Sequence, residues 1–333
     1  MHIFLSAACA CVLLWSSEEH AQDGLGVKRA ARMSAGVPSC LAARSRALCA
    51  QETGTTLLDS KIKAQISGFK GHVSLYAKNL ETGATYSLAG DDPVRTASTI
   101  KLPIMIECFA EAAEGKLDLA STIKLAEQEK VSGSGILQDL TAGRDYPLRD
   151  LIMLMITLSD NTATNLIINR IGGNAVNARM AQLGLAQTRC MRKILGDGNQ
   201  LKPFPSGVSD EGAKPENKRW GIGRSSPHEM VILLEKLYRG ELVDKSASAE
   251  MLDILKKQRD HSGIGRDLKD LVIANKSGAL DALRSDVGIV FSKQGPIAMA
   301  ITVDGMPEPN WSPDNSGELL ISSLSEVLID ALH

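Results

Sequence analysis

Ser98 and Lys101 stand three residues apart at the start of an apolar run, Arg95-Thr96-Ala97-Ser98-Thr99-Ile100-Lys101-Leu102-Pro103-Ile104-Met105. On an α-helix, positions i and i+3 share one face, so this spacing allows the hydroxyl and the ammonium to meet at hydrogen-bond distance. A serine hydroxyl is a weak nucleophile until a base takes its proton, and a lysine can be that base when burial and positive neighbours lower its pKa. At a helix N-terminus, the helix dipole would also favour the anion that forms. The pair therefore predicts a catalytic serine.

The S-x-x-K pattern is weak by itself, because Ser121-Thr122-Ile123-Lys124 repeats it. A solvated turn or helix end explains such a pattern without any chemistry. The second copy is not followed by a long apolar helix and lies close to Ser159 in the chain. We therefore interpret Ser121 as a turn and keep Ser98 as the candidate nucleophile.

Two further polar motifs interrupt apolar segments downstream. Ser159-Asp160-Asn161 lies between two apolar helical segments, where buried polar groups need partners. Lys276-Ser277-Gly278 follows an apolar stretch with the character of a strand. Each motif has an ordinary structural explanation, a helix cap for the first and a strand running into a turn for the second.

The order of the predicted elements indicates an α+β fold. Alternating residues predict a hairpin at 72–77 and 85–88, and two more strands at 286–292 and 296–303. Between them lie predicted helices at 98–115, 148–158, 162–171, 175–183, 227–237 and 248–257, and a last helix follows at 320–332. Pro103 fits only a first helical turn, so the first helix should begin close to Ser98. Terminal segments thus form an antiparallel sheet, and an all-helical subdomain is inserted between them.

The first 56 residues have a different character from the rest. Residues 3–15 form an apolar block of signal-peptide length, so we expect a signal peptide at 1–22 and export to the periplasm or outside the cell. Ala21-Gln22 and Ala50-Gln51 are alternative starts of the mature chain. Residues 23–56 have the composition of a leader or linker, and the folded domain is expected at 57–333.

Composition excludes several classes of protein. The 333-residue chain has a net charge of −2, which argues against nucleic acid or an anionic membrane as a partner. We find no apolar run of about 18 residues, so no membrane span is predicted. The six histidines are scattered and no C-x-x-C or H-E-x-x-H spacing occurs, so we expect neither a metal nor another cofactor. Cys108 and Cys190 are expected either to pair or to be small buried hydrophobic residues. We expect a monomer.

Taken together, S-x-x-K, S-D-N and K-S-G in this order resemble the motifs of class A serine β-lactamases and penicillin-binding proteins, with Ser277 in place of a threonine. The resemblance extends over about 57–333. The segment 131–137 resembles the loop at the edge of that family's active site, and 159–165 with Ile171-Gly172-Gly173 resembles its central helices. The resemblance implies a β-lactamase/transpeptidase-like fold and a serine β-lactamase that confers antibiotic resistance, with a small β-lactam as its substrate.

The resemblance also implies roles for individual residues. Ser98 would attack the β-lactam carbonyl, Lys101 would help to remove its proton, and Ser159 would pass a proton to the ring nitrogen. Asn161 would bind the substrate's amide side chain and steady Lys101. Lys276 and Ser277 of the K-S-G motif, which Gly278 completes, would bind the substrate carboxylate, with Arg284 as a further candidate. The backbone N–H groups of Ser98 and Ala279 would form the oxyanion hole.

The chain departs from the family in the segment that carries the deacylating glutamate, the Ω-loop. Where a W-E-P-x-x-N-like segment is expected, it reads Cys190-Met191-Arg192-Lys193-Ile194-Leu195. Asp197, Glu211 and Glu216 are candidate replacements, and Glu216 is favoured because it lies near the return of the loop. Three functions stay open at this point: a β-lactamase, a D-alanyl-D-alanine peptidase or esterase on the same fold, and a receptor that is acylated without turnover.

Overall fold

A five-stranded antiparallel sheet forms the centre of the protein. The computed structural model describes residues 56–196 and 208–333. The strand order is β2-β1-β10-β9-β8, so strands from the two ends of the domain lie side by side. The strands are β1 His72–Asn79, β2 Thr85–Leu88, β8 Val272–Leu280, β9 Leu283–Ser292 and β10 Gly295–Asp304. Ser74 is the register partner of Thr302, and Ser277 is the register partner of Asp286.

Helices cover both faces of this sheet. Helix α1 includes residues 56–66. The others are α2 Lys101–Ala113, α3 Leu148–Thr157, α4 Asn161–Ile171, α5 Gly173–Gln182, α6 Asp210–Ala213, α7 Pro227–Arg239, α8 Lys245–Leu255 and α9 Ser316–Ala331. Because side chains alternate along a strand, β10 contributes Ala298 and Ala300 to the core with α2, α3 and α4, and Ile297, Met299, Ile301 and Val303 to the core with α9.

Smaller elements connect the sheet to the helices. They are β3 Val94–Arg95, β4 Thr122–Lys124, β5 Asp145–Pro147, β6 Arg189–Cys190 and β7 Gly223–Ser225, with 3₁₀ turns at Ala97–Ile100, Glu127–Glu129, Leu137–Asp139 and Pro215–Trp220. Strand β7 lies between β3 and β6. The segment 208–225 therefore contains ordered elements, namely α6, the Pro215–Trp220 turn and β7. Ser121 precedes the short strand β4, as its interpretation as a turn requires.

Several other predictions can be compared with the structure. The predicted helix at 98–115 is a 3₁₀ turn followed by α2, and Pro103 lies in the first turn of α2 as expected. Cys108 and Cys190 are both buried and unpaired, so they are small hydrophobic residues rather than a disulfide.

The predicted signal peptide and the greater part of the predicted linker lie outside the described residues. No helix in the described ranges is long and apolar enough to cross a membrane.

Asn79 fastens the end of β1 to two distant segments. Its Nδ2 donates to Gln294 O and to Leu332 O, both at 3.0 Å, and its Oδ1 accepts from Glu81 N at 3.0 Å and Thr82 N at 3.1 Å. The side chain is fully buried. Removing it leaves buried backbone groups without partners, which costs more than the net value of an ordinary hydrogen bond.

We expect Asn79→Ala to lower the free energy of unfolding by about 3 kcal/mol, because four hydrogen bonds are lost together. Urea denaturation measures this change. The matched control is Asn169→Ala, since Asn169 is exposed and its Nδ2 makes one 3.5 Å contact with Glu129. A loss below about 1 kcal/mol for Asn79→Ala would contradict the assignment.

Candidate active site

Ser98 lies in the 3₁₀ turn directly before α2, in a constrained backbone. Ala97 has a φ of +45°, a left-handed conformation that is costly for a residue with a side chain. Strand β8 packs against this turn so closely that a Cβ on Gly278 would lie 2.9 Å from Ser98 N and from Thr96 O. Glycine is therefore required at this position of the K-S-G motif. This contact brings the backbone on both sides of Gly278 next to the serine.

Lys101 is completely buried, and its ammonium points to the S-D-N motif. Its Nζ donates to Ser159 O at 2.7 Å, Ser159 Oγ at 3.0 Å and Asn161 Oδ1 at 3.1 Å. Among the described residues, these are its hydrogen bonds, and Ser98 Oγ is not one of its partners. Desolvation, reinforced by the ammonium of Lys276, lowers the pKa of Lys101 well below its ordinary value, against the opposing effect of Asp160.

Asp160 is both a helix cap and the anchor of a loop. Its Oδ1 accepts from Ala163 N at 2.8 Å and so caps α4, while its Oδ2 accepts from Ile136 N at 2.7 Å and Leu137 N at 2.9 Å. A Cβ on Gly135 would lie 2.3 Å from the Asp160 carboxyl carbon. The cap interpretation of the motif is thus correct for Asp160, and the same residue sets the positions of its two neighbours.

Ser159 and Asn161 extend from either side of Asp160 toward Lys101. Ser159 has a φ of +54°, a strained conformation for a serine. The Asn161 amide is shared, because Oδ1 accepts from Lys101 and Nδ2 donates to Ser132 O at 3.2 Å. Backbone strain and this bridging amide both mark the region as a functional site.

Lys276 of β8 is completely buried behind the K-S-G strand of the site. Its Nζ donates to Ser277 O at 2.6 Å. Desolvation lowers the pKa of Lys276 to about 8, although Asp260 and Asp286 oppose the shift. Burial tends to raise the pKa of Asp260, but the Ser277 hydroxyl, the groups of Ser262 and the Lys276 ammonium outweigh it and lower this pKa. Sequence reasoning missed Asp260, which no motif marks.

A cavity of about 630 Å³ unites these elements. Of the residues predicted from the sequence, Ser98, Ser159, Asn161, Ser277, Gly278 and Ala279 line it. Lys101 and Lys276 have no exposed surface and lie behind the lining. Trp311, Arg192, Ile194 and Asp260 also line the cavity, and none of them belongs to a motif that the sequence revealed.

The structure does not bring Arg284 to the cavity. Its Nη1 donates to Leu280 O and Leu283 O, both at 2.7 Å, and its Nε is 3.3 Å from Glu318 Oε1. The guanidinium also lies 4.9 Å from the centre of the Trp311 ring. The Arg284 guanidinium is therefore engaged with backbone carbonyls at the end of the β8–β9 hairpin and with Glu318 of α9. It packs against Trp311 and does not line the cavity.

Ile194 lines the cavity from the segment 190–195, in which the family's loop glutamate was expected. The Asn165 side chain holds its backbone, since Nδ2 donates to Ile194 O at 2.8 Å and Oδ1 accepts from Ile194 N at 2.9 Å. Glu211 is paired with Lys214, Glu216 is exposed in the Pro215–Trp220 turn, and neither lines the cavity. The structure therefore does not support Glu216 as the favoured base, and Asp197 lies outside the described residues. Among described residues, Asp260 is the one carboxylate that lines the cavity.

This arrangement is typical of serine hydrolases in which a lysine acts as the base. The half-buried Ser98 and Ser159 both line the cavity, and Ser159 accepts a hydrogen bond from the buried Lys101, whose pKa is lowered. The edge strand β8 lies beside them and can bind an extended substrate. In the described ranges, no group of three or more His, Cys, Asp or Glu residues is arranged to hold a metal ion.

Comparisons with known proteins identify the family. The sequence model of the Beta-lactamase enzyme family matches residues 57–332. Beta-lactamase AER-1 of Aeromonas hydrophila is 24% identical over 257 residues, covering 75% of this chain and 78% of that protein. A β-lactamase structure from Sphaerobacter thermophilus has a TM-score of 0.70 and 27% identity, with 82% of this chain and 96% of that chain covered. A PBP-A mutant, solved as an acyl-enzyme with penicillin G, has a TM-score of 0.70 and 27% identity, with 83% and 96% covered.

The chain belongs to the Beta-lactamase enzyme family. The predicted class A serine β-lactamase family, the predicted α+β fold and the predicted serine β-lactamase function are confirmed by these matches. The peptidase, esterase and receptor alternatives are not favoured by them.

Asp160→Ala should lower the free energy of unfolding by about 3 kcal/mol, because a buried carboxylate and its three N–H partners are separated. Thermal or urea denaturation measures this loss. Asp244→Ala is the matched control, since Asp244 caps α8 by accepting from Ala247 N at 2.8 Å in an exposed position. We expect about 1 kcal/mol for the control. Equal losses in the two variants would mean that Asp160 is only a cap.

Proposed function

We propose that this protein hydrolyses the amide of β-lactams through an acyl-serine intermediate on Ser98. The observation that carries this proposal is the buried Lys101 ammonium, which is bonded to Ser159 and Asn161 one helical turn after Ser98. Family membership supports the reaction class, and the geometry supports the assignment of roles.

In the proposed acylation step, neutral Lys101 accepts the proton of Ser98 as its oxygen attacks the β-lactam carbonyl. The burial that lowers the pKa of Lys101 favours the neutral amine that this step needs. The backbone N–H groups of Ser98 and Ala279 receive the oxyanion, which the close packing of Gly278 on the serine turn supports. Ser159, whose Oγ is 3.0 Å from Lys101 Nζ, returns the proton to the ring nitrogen as it departs.

Substrate binding is proposed to involve the two remaining motifs. Asn161 binds the amide of the substrate's acyl side chain, and Ser277 binds the carboxylate on the ring with the help of the Lys276 charge. Below its pKa of about 8, Lys276 is an ammonium and attracts this carboxylate. Asp260 lies next to the same hydroxyl and weakens the attraction.

Deacylation is proposed to be the slow step. A water that attacks the acyl-enzyme needs a general base, and a positioned base commonly contributes a factor of about 10² to 10⁴. In the segment where the family carries its glutamate, this chain contributes the apolar residue Ile194 to the cavity lining. The acyl-enzyme should therefore accumulate during turnover.

We also propose that the reaction takes place in the periplasm or outside the cell, where it protects the producing organism from β-lactam antibiotics. The apolar block at 3–15 supports export. The protein is proposed to act as a monomer on a small molecule.

The first test is a chromogenic cephalosporin assay at excess substrate with the wild type and Ser98→Ala. We expect a burst of about one equivalent and then slower steady turnover in the wild type, because acylation precedes a slow hydrolysis. Both phases should be lost in Ser98→Ala. A burst without later turnover would favour a receptor, and turnover of D-alanyl-D-alanine peptides or activated esters without a burst would favour a peptidase or esterase.

Ile194→Glu should raise the deacylation rate at least about ten-fold, because it places a carboxylate beside the acyl-enzyme on a backbone that Asn165 already fixes. Single-turnover kinetics with the same cephalosporin separates deacylation from acylation. Ile194→Gln is the matched control, since it is polar and of similar size but cannot accept the proton. Equal acceleration in both variants would attribute the gain to polarity and not to base catalysis.

A further inference from the structure

Positive side chains line one part of the catalytic cavity. Arg95, Arg192, Lys218 and Arg219 all belong to its lining, and we call these four residues the basic wall. Asp260 is the one carboxylate that the described residues contribute to the same cavity, and it lies beside Ser277 and Lys276. The described lining therefore carries four basic side chains and one acidic side chain.

The charges of the basic wall are only partly neutralised. Arg95 forms an ion pair with Asp304, and the Arg219 guanidinium lies 4.4 Å from the centre of the Trp220 ring. Lys218 and Arg219 are exposed, and no described residue forms an ion pair with either. Lysine and arginine side chains are cationic, so the wall presents a positive potential to a molecule in the cavity.

Three of the four residues of the basic wall, Arg192, Lys218 and Arg219, belong to the segment between β6 and β7. Arg192 is two residues before Ile194, whose backbone is held by Asn165, and Asn165 lies one turn after Asn161 on α4. Arg192 Nη2 lies 3.8 Å from where a Cβ on Gly221 would be, which places it close to the segment that carries Lys218 and Arg219. Ile194 and Asn165 thus connect the segment of Arg192 to α4, which begins at Asn161, whereas Asp260 lies beside Ser277.

We propose that the basic wall selects β-lactams whose acyl side chain carries a second anionic group, a carboxylate in particular. The inference rests on the proposed function, in which Asn161 binds the amide at the root of that side chain and Ser277 binds the ring carboxylate. A side chain extending from Asn161 toward the loop meets Arg192, Lys218 and Arg219. Exposed charges interact weakly and are screened by salt, so the wall acts as a modest and salt-dependent determinant of specificity.

Two penicillins that differ by one group provide the test. Carbenicillin is benzylpenicillin with one additional carboxylate on the side-chain carbon, so the ratio of their second-order acylation constants isolates the effect of that charge. We expect Lys218→Gln and Arg219→Gln each to lower the carbenicillin-to-benzylpenicillin ratio about three-fold, and Lys218→Glu to lower it further. Lys269→Gln is the matched control, because Lys269 is exposed and does not line the cavity.

Wild-type protein gives a second measurement that does not depend on the folding of any variant. Raising the salt concentration from about 0.05 to 0.5 M should reduce the ratio, since screening weakens the attraction for the additional carboxylate. A ratio that is unchanged by salt and by the Lys218 and Arg219 substitutions would overturn the inference. If neither penicillin acylates the wild type, the proposed function itself fails, and this outcome is distinct from an unchanged ratio.

Discussion

The burial of the Lys101 ammonium is the constraint on which the site depends. A charged amine without exposed surface is unfavourable unless it is hydrogen-bonded, and it responds by losing its proton more readily. Ser159 contributes two oxygen atoms and Asn161 contributes one, all within 3.1 Å of Nζ. The same contacts that make burial tolerable hold the amine beside the reacting serine. The hydrogen bonds from Ser159 and Asn161 therefore serve both the stability of the fold and the proposed chemistry.

Two close backbone contacts, at Asp160 and at Gly278, connect these residues to the rest of the fold. Asp160 fastens the edge loop to the first turn of α4, so the strained Ser159 and the bridging Asn161 are held from both sides. Gly278 lets β8 approach the turn of Ser98 more closely than any residue with a Cβ allows. The sheet and the helical block thus meet at Ser98, the proposed nucleophile, and neither determines the site alone.

The sequence was sufficient to predict the α+β order and most of the candidate residues that the structure brings together around the cavity, because both depend on local patterns. Alternation revealed β9 and β10, and the short motifs placed Ser98, Ser159 and Lys276. Asp260, Trp311 and Arg192 reach the cavity from loops whose course depends on distant packing, so no local pattern marks them. Arg284 was misjudged for a related reason: strand position alone does not reveal that its guanidinium is engaged with the backbone and with Glu318. The ordered elements within 208–225 were likewise hidden by their polar composition.

The segment between β6 and β7 contributes both an apolar residue and positive charge to the cavity. Its apolar residue Ile194 removes a carboxylate from the neighbourhood of the acyl bond, while Arg192 and the segment of Lys218 and Arg219 add positive charge nearby. In the proposed reaction, no carboxylate of the described part of this loop would repel an anionic side chain, and the basic wall would attract it. Loss of the usual base and gain of a preference for anionic side chains are therefore physically compatible features of one loop.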